Sequence, residues 1–371
     1  MTVLNDFSGG RGQRAASFRF ELLDKQNSIL GDLTVSSTPT PTVSNNINRA
    51  VKRGLSGLRL PPSVTAEVNT LNERVRPWLV MEDGTEWPLG VFLFADVSRS
   101  LANQAGGFYN LTGEARWTEG SCLDQLATVN QGSRGVTAYP AGTTVYDALL
   151  EQLDVAGIVE YDLDQSDSVI AQPKVWKPNE KRLTIINDLC QLGGYFSLYF
   201  TNMGRGRLKR VRTLAATEVD TNYVDGMVYE ETIVETDDLL DAPNVYVAVN
   251  SAFTDSPIWG EWAIPAEAPH SEQSRGFAVV KEIDVPGAES SNAAAEAAKA
   301  HGQADYSTYR WIDFTTPPDP KFDTFDVFGW LDGSVYRNQS WDMQLSEGGN
   351  MRHEGRRVWA EALADFVVEA E

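Results

Sequence analysis

Three histidines, two cysteines and a surplus of carboxylates are the groups in this 371-residue chain that could do chemistry. His270, His301 and His353 stand far apart, and none has a second His, Cys or carboxylate at the spacing of a zinc site. The carboxylates group as Asp162 with Asp164, as Asp237, Asp238 and Asp241, and as Asp319, Asp323 and Asp326. A glycoside-cleaving pair needs two carboxyls about 5–10 Å apart across a cleft, which spacing along the chain does not show. The 319–326 group lacks the glycine and ligand spacing of a calcium loop and reads as a solvated acidic loop. Met203-Gly-Arg-Gly-Arg207 is glycine-rich, but no helix follows to cradle a phosphate, so it reads as a hairpin turn. No nucleophile elbow, phosphate-binding loop, His-Glu-x-x-His or dinucleotide fingerprint occurs. The sequence therefore predicts neither an enzyme nor a cofactor.

Charge is unevenly placed. Residues 1–212 carry 22 acids and 22 bases; residues 213–371 carry 30 and 9, which accounts for the whole net charge of -21. That is the reverse of a nucleic-acid-binding face. Arg49, Lys52 and Arg53 lack interleaved aromatic side chains for base stacking and read as the polar face of a strand. Cys122 and Cys190 are too few for a disulfide framework and fit two buried thiols in a reducing cytoplasm, with a late bridge between them as the alternative. No stretch approaches the ~18–20 apolar residues of a membrane span, and the first residues do not pattern as a signal peptide.

The elements that must position these groups are mainly strands. Residues 1–14 read as a flexible arm that orders against a partner. A first hairpin follows at Ser17–Leu23 and Ile29–Val35, then an extended segment at 49–60 and a short helix at Val64–Leu71. Val75–Val97 is the central hairpin, turning at Asp83-Gly84. Its return strand would place Trp87, Leu89, Val91 and Leu93 on one face and Phe92 and Phe94 on the other. A strand apolar on both faces is covered on both, by its own core or by another subunit. Phe325–Tyr336 repeats the pattern, with Trp330 before a turn at Asp332-Gly333. Between the hairpins lie two helices, 143–156 and 181–192, each ended by glycine. Residues 251–290, with Trp259 and Trp262, read as a long irregular excursion, and 290–300 as a helix by propensity.

The fold class predicted is mainly β with an α+β insertion. The divisions are an arm at 1–14, a first β-barrel at 15–100 with strands near 205–235 available to complete it, an inserted α+β module at 101–212, a second β-barrel with loop and helix excursions at 213–360, and a tail at 361–371.

Several stretches together resemble a known family. Phe20–Asp24, Ile29–Leu33, Asn48–Arg53, Arg74–Pro77, Glu82–Phe94, Asp237–Asn244, Pro318–Asp326, Ser340–Leu345 and Gly348–His353 are similar to the minor tail proteins, or tail-tip hub proteins, of long-tailed phages of actinobacteria. The resemblance implies two tube-like β-barrels per chain and a homotrimer with pseudo-sixfold symmetry at the virion tail tip, assembled in the host cytoplasm. It implies as partners the distal tail protein, the tape measure protein and other tip proteins, with DNA passing by non-adhesive contact along an acidic lining. The alternatives are an adhesin stacking sugars on Trp259 and Trp262, and a cell-wall hydrolase using Asp319 or Asp323. The candidate interface residues are Arg49, Lys52, Arg53, Trp87, Phe92, Phe94, Phe325 and Trp330.

Overall fold

The computed structural model describes residues 16–35, 37, 40–48, 52–61, 68–100, 108–115, 136–210, 219–223, 227–237, 240–250, 258–268, 270–285, 290–305 and 310–358. The arm, Arg49, Cys122, Asp238, the tail and the first half of the expected 64–71 helix lie outside the described residues.

Eight antiparallel strands come first: β1 (Ala16–Leu23), β2 (Ile29–Asp32), β3 (Thr42–Asn46), β4 (Arg53–Leu60), β5 (Arg74–Met81), β6 (Glu86–Pro88), β7 (Phe92–Ser100) and β8 (Phe108–Ala115). The central hairpin forms, with a different turn from the one expected. Only Gly84 takes a positive φ, 81°; Asp83 does not. Met81 N donates to Thr85 O (2.9 Å), Gly84 N to Met81 O (2.9 Å) and Thr85 N to Asp83 Oδ1 (2.8 Å). This is a three-residue loop with the glycine as a left-handed bulge.

The return strand also departs from the expected alternation. Leu79 lies opposite Trp87, but Val75 lies opposite Phe92, so the return side carries one extra residue. The break falls at Leu89-Gly90-Val91, where Gly90 has φ 127°. One added residue exchanges the faces of everything after it. Phe92 therefore joins the Val75 and Leu79 face and is 1% exposed.

The inserted region holds β9 (Thr137–Tyr139), α1 (Val145–Val155), β10 (Tyr161–Leu163), β11 (Lys174–Trp176), α2 (Arg182–Gly193), β12 (Tyr199–Phe200) and β13 (Gly206–Leu208). Thr144 caps α1 by accepting from Asp147 N at 3.1 Å. The helix ends with Ile158 N donating to Leu153 O and Gly157 N to Asp154 O, a Schellman arrangement around Gly157 (φ 69°). Gly194 closes α2 the same way. Leu149, Leu153, Ile186 and Leu189 are fully buried between the two helices and their sheets.

β14 (Thr221–Asn222) and β15 (Val234–Asp237) return to the main sheet. A separate lobe follows where the sequence predicts an irregular excursion. β16 (Val245–Asn250), β17 (Ile258–Ala263) and, after a short helix α3 (Glu272–Arg275), β18 (Val280–Asp284) form a three-stranded sheet. Helix α4 (Ser291–Asp305) covers one face of it. Ala294 and Ala298 bury against Tyr246 and Ala248 in a core of their own. Glycine hides this strand from a reading of side-chain pattern: a Cβ on Gly260 would lie 2.3 Å from Ala295 N. Gly260 is there so that the helix can approach the strand backbone.

The chain ends with β19 (Arg310–Thr316), β20 (Val327–Gly329), β21 (Val335–Gln344) and β22 (Met351–Val358). Their hairpin turn at Asp332-Gly333 repeats the first one bond for bond. Trp330 N donates to Ser334 O (2.7 Å), Gly333 N to Trp330 O (2.9 Å) and Ser334 N to Asp332 Oδ1 (2.8 Å), with Gly333 at φ 81°.

Where the sequence predicts two separate barrels, strands of both halves join one open sheet. It has 14 strands, with the order β15-β19-β22-β21-β3-β4-β8-β7-β5-β1-β2 along its main path, and no ladder closes it among the described residues. The seam is β21 against β3, antiparallel, from Ser340↔Asn46 to Gln344↔Thr42. Its cause is matching alternation: Val43 with Met343 and Asn45 with Trp341 face the core, while Ser44 with Asp342 and Thr42 with Gln344 face outward.

Candidate functional site

The polar groups of both halves and the inserted module converge on Arg53, at the start of β4. Its side chain is 3% exposed. Nη1 donates to Asn202 Oδ1 in the β12–β13 turn, and Nη2 pairs with Asp323 Oδ1 in the loop before β20. Asn202 Nδ2 donates to Pro320 O at 2.9 Å, so the module's turn also holds that loop directly. The guanidinium lies 5.8 Å from the Trp341 ring centroid. Nearby, Asn45 Nδ2 donates to Thr324 Oγ1 at 2.5 Å. A buried charge is tolerated only with a partner, and Arg53 has one in Asp323, with both terminal nitrogens bonded while the buried Nε has no partner among the described residues.

The 317–326 loop is strained where it turns back into the sheet. Phe325 has φ 65°, unusual for a bulky residue. Aromatic packing holds it there: its ring stacks on Phe196 (4.3 Å, 18°) and meets Tyr199 edge-on (5.5 Å, 73°). Lys52 Nζ sits 5.4 Å from the Phe325 ring and donates to Ile47 O at 3.1 Å. Burial pushes the Lys52 ammonium down to about 8.

Asp326 completes the corner. Its Oδ2 accepts from Asp323 N at 2.6 Å, and Asp220 Oδ2 accepts from Val327 N at 2.8 Å. Burial pushes the Asp326 carboxyl up to about 7, and the charges of Asp323 and Asp220 add to the rise. The three acidic residues act on backbone amides and on Arg53, which is the work of a joint. Asp319 likewise accepts from Lys321 N at 3.0 Å. Among the described residues no group of three His, Cys, Asp or Glu is placed to hold a metal ion.

The other residues singled out from sequence fall as follows. Trp87 and Phe94 are half-buried, with Lys321 Nζ 5.5 Å from the Trp87 ring. Phe92 is core. Val91, in the break of the return strand, is covered from within the chain: a Cβ on Gly204 of the β12–β13 turn would lie 2.7 Å from its Cγ2. Trp330 is 7% exposed, in an aromatic cluster with Phe314 at 4.7 Å and Tyr336 at 6.4 Å. His353, fully buried, stacks on Phe314 (4.8 Å, 11°), and its Nε2 bonds Thr316 Oγ1 (2.9 Å). Burial pushes the imidazole down to about 3, so it is neutral in the fold. Trp262 packs on Tyr246 at 6.0 Å beneath α4, which separates it from the exposed Trp259.

Sequence reasoning placed Lys52, Arg53, Asp323 and Phe325 among its candidates without bringing them together, and it missed Asn202, Asp220, Phe196 and Tyr199. The only local signal for Asn202 was its turn, Thr201–Arg205, whose Gly204 has φ 83°.

No family model matches the chain, and no curated protein matches it. Solved structures do. The prophage MuSo2 43 kDa tail protein from Shewanella oneidensis matches with TM-score 0.61 and 11% identity, covering 92% of this chain and 98% of that one. The tail protein from Neisseria meningitidis MC58 matches with TM-score 0.61 and 9% identity, covering 93% and 99%. Prophage tail protein gp18 from Listeria monocytogenes EGD-e matches with TM-score 0.52 and 9% identity, covering 95% and 98%. Over more than nine-tenths of its length, the chain is similar in fold to these tail proteins.

Proposed function

We propose that the protein is a structural, non-enzymatic component of a phage tail. It acts as a homotrimeric hub at the tail tip, joining the distal tail protein and tail tube to the tape measure protein and other tip proteins. It forms part of the conduit through which DNA passes without sticking. The observation that carries this reading is the fold likeness, which spans nearly the whole length of both chains for three tail proteins. The joint around Arg53 supports it: its charged groups fix three parts of the chain to one another, as a load-transmitting part requires. The two hairpins with equivalent turns, one in each half of the shared sheet, support two related halves per chain, six in a trimer.

Light scattering on the purified protein tests the oligomer. The expected mass is about three times the 40.9 kDa chain. A single-chain mass at every concentration, with a copy number other than three in a particle reconstruction, overturns the hub. Of the pair the adhesin reading needs, Trp259 is exposed and Trp262 packs beneath α4.

A further inference from the structure

The lobe and the inserted module each carry an exposed apolar face, and the two faces have opposite charge. In the lobe sheet, Tyr246, Ala248, Trp262 and Ile283 face α4. The registers put the alternate residues on the other side: Val249 opposite Trp259, and Val247 opposite Glu261 and Glu282. Trp259 is 51% exposed and Val280, on the same side, 58%. This face is an apolar stripe flanked by carboxylates.

In the module, the ribbon β9–β11 turns Tyr139 and Trp176 inward, where they meet edge-on at 6.1 Å. Val175 lies opposite Ala138 on the outer side. Val175 is 63% exposed and Val136, two residues before Ala138, 55%. Lys177, two residues after Val175, is exposed on that same alternation. The outer ribbon is therefore apolar with a cationic end.

We infer that the lobe face of one copy docks the β9–β11 ribbon of the next, with Trp259 and Val280 against Val136 and Val175, and Lys177 against Glu261 and Glu282. This rests on the oligomeric reading above and names its interface. The acidic lobe face cannot dock on its own copy without placing like charges together, so a twofold contact is disfavoured. A contact between two different patches is head-to-tail, and when its rotation closes it makes a ring. Apolar centre and charged rim match the usual division of labour in an interface: Trp259 as anchor, Lys177 and the glutamates as register.

The test is a charge exchange read by light scattering across a dilution series. Lys177→Glu alone, and Glu261→Lys with Glu282→Lys, are each expected to raise the concentration at which the oligomer dissociates by about tenfold or more. The combined triple variant restores the pairs in reverse and is expected to recover most of that loss. Trp259→Ser is expected to dissociate the oligomer more than either reversal. Hydrogen exchange over α1 and α4 checks that each variant is folded. A trimeric wild type whose dissociation none of these variants changes overturns the interface and leaves the hub standing. A wild type of one chain at all concentrations overturns the interface, and together with a copy number other than three in a particle reconstruction it overturns the hub as well.

Discussion

The aromatic core of the C-terminal strands contains a histidine that must stay neutral, and the nearby joint contains an aspartate that resists ionisation. Their effects on stability run in opposite directions with pH. His353 drops from an ordinary value of 6.5 to about 3 on folding. Its contribution is present above pH 6.5 and is lost as pH falls toward 3, because the unfolded chain binds a proton that the folded one refuses. The slope is about 1.4 kcal/mol per pH unit, so about 2 kcal/mol is lost between pH 6.5 and 5. Asp326 rises from 3.8 to about 7. Its contribution is present below pH 3.8 and is lost as pH rises through 7, so between pH 6.5 and 5 it returns about the same 2 kcal/mol as the solution is acidified. In the wild type the two slopes nearly cancel over that interval. His353→Gln keeps a partner for Thr316 and removes one slope; its stability is expected to rise by about 2 kcal/mol relative to wild type from pH 6.5 to 5. Asp326→Asn is expected to fall by about as much, and the double variant to be flat. Urea unfolding at constant ionic strength, followed by tryptophan fluorescence at several pH values, gives the three profiles. A His353→Gln profile parallel to the wild type refutes the claim that burial holds this imidazole neutral.

Two further predictions concern the joint and the lobe. Arg53→Met leaves the Asp323 carboxylate and the Asn202 amide without their partner, at a cost of about 3–5 kcal/mol, while Arg53→Met with Asp323→Leu is expected to recover much of it; thermal unfolding and protease cleavage near 201–205 report both. Gly260→Ala forces α4 away from β17 and is expected to lower hydrogen-exchange protection across 245–250 and 291–302 while leaving that of 182–193 unchanged; equal loss in both regions would contradict a separate lobe core.

What was legible in the sequence was local. The α1 cap at Thr144, the stops at Gly157 and Gly194, and the two Asp-Gly turns each depend on a few adjacent residues, and each is where the pattern put it. The return strand of the central hairpin departs from its expected alternation because a single extra residue at Gly90 leaves no mark in an apolar run. In the lobe, β16 and α4 stand where a strand at 244–249 and a helix at 290–300 are expected, but β17 and β18 were hidden for a related reason. Strand β17 has glycine where a packed side chain would stand, and two tryptophans on opposite faces, so neither period shows cleanly.

The joint was illegible for another reason: its residues lie far apart in the chain, Arg53 and Asp323 by 270 positions and Asn45 and Thr324 by 279. The same holds for the seam of β3 and β21, which pairs Asn46 with Ser340. Nothing near either strand names its partner. Yet the seam changes what the two hairpins mean. Two separate barrels could swing independently on their linkers. One sheet running through both halves, with the module clamped by Asn202 and the 317–326 loop by Asp323, transmits a displacement of either half to the other. Ser44 offers a way to tell the two arrangements apart. Ser44 and Asp342 face outward as direct cross-strand neighbours, so cysteines placed at both should crosslink to each other with a short reagent without disturbing the core. Such a crosslink at high yield requires the continuous sheet; two independent barrels would keep those positions apart.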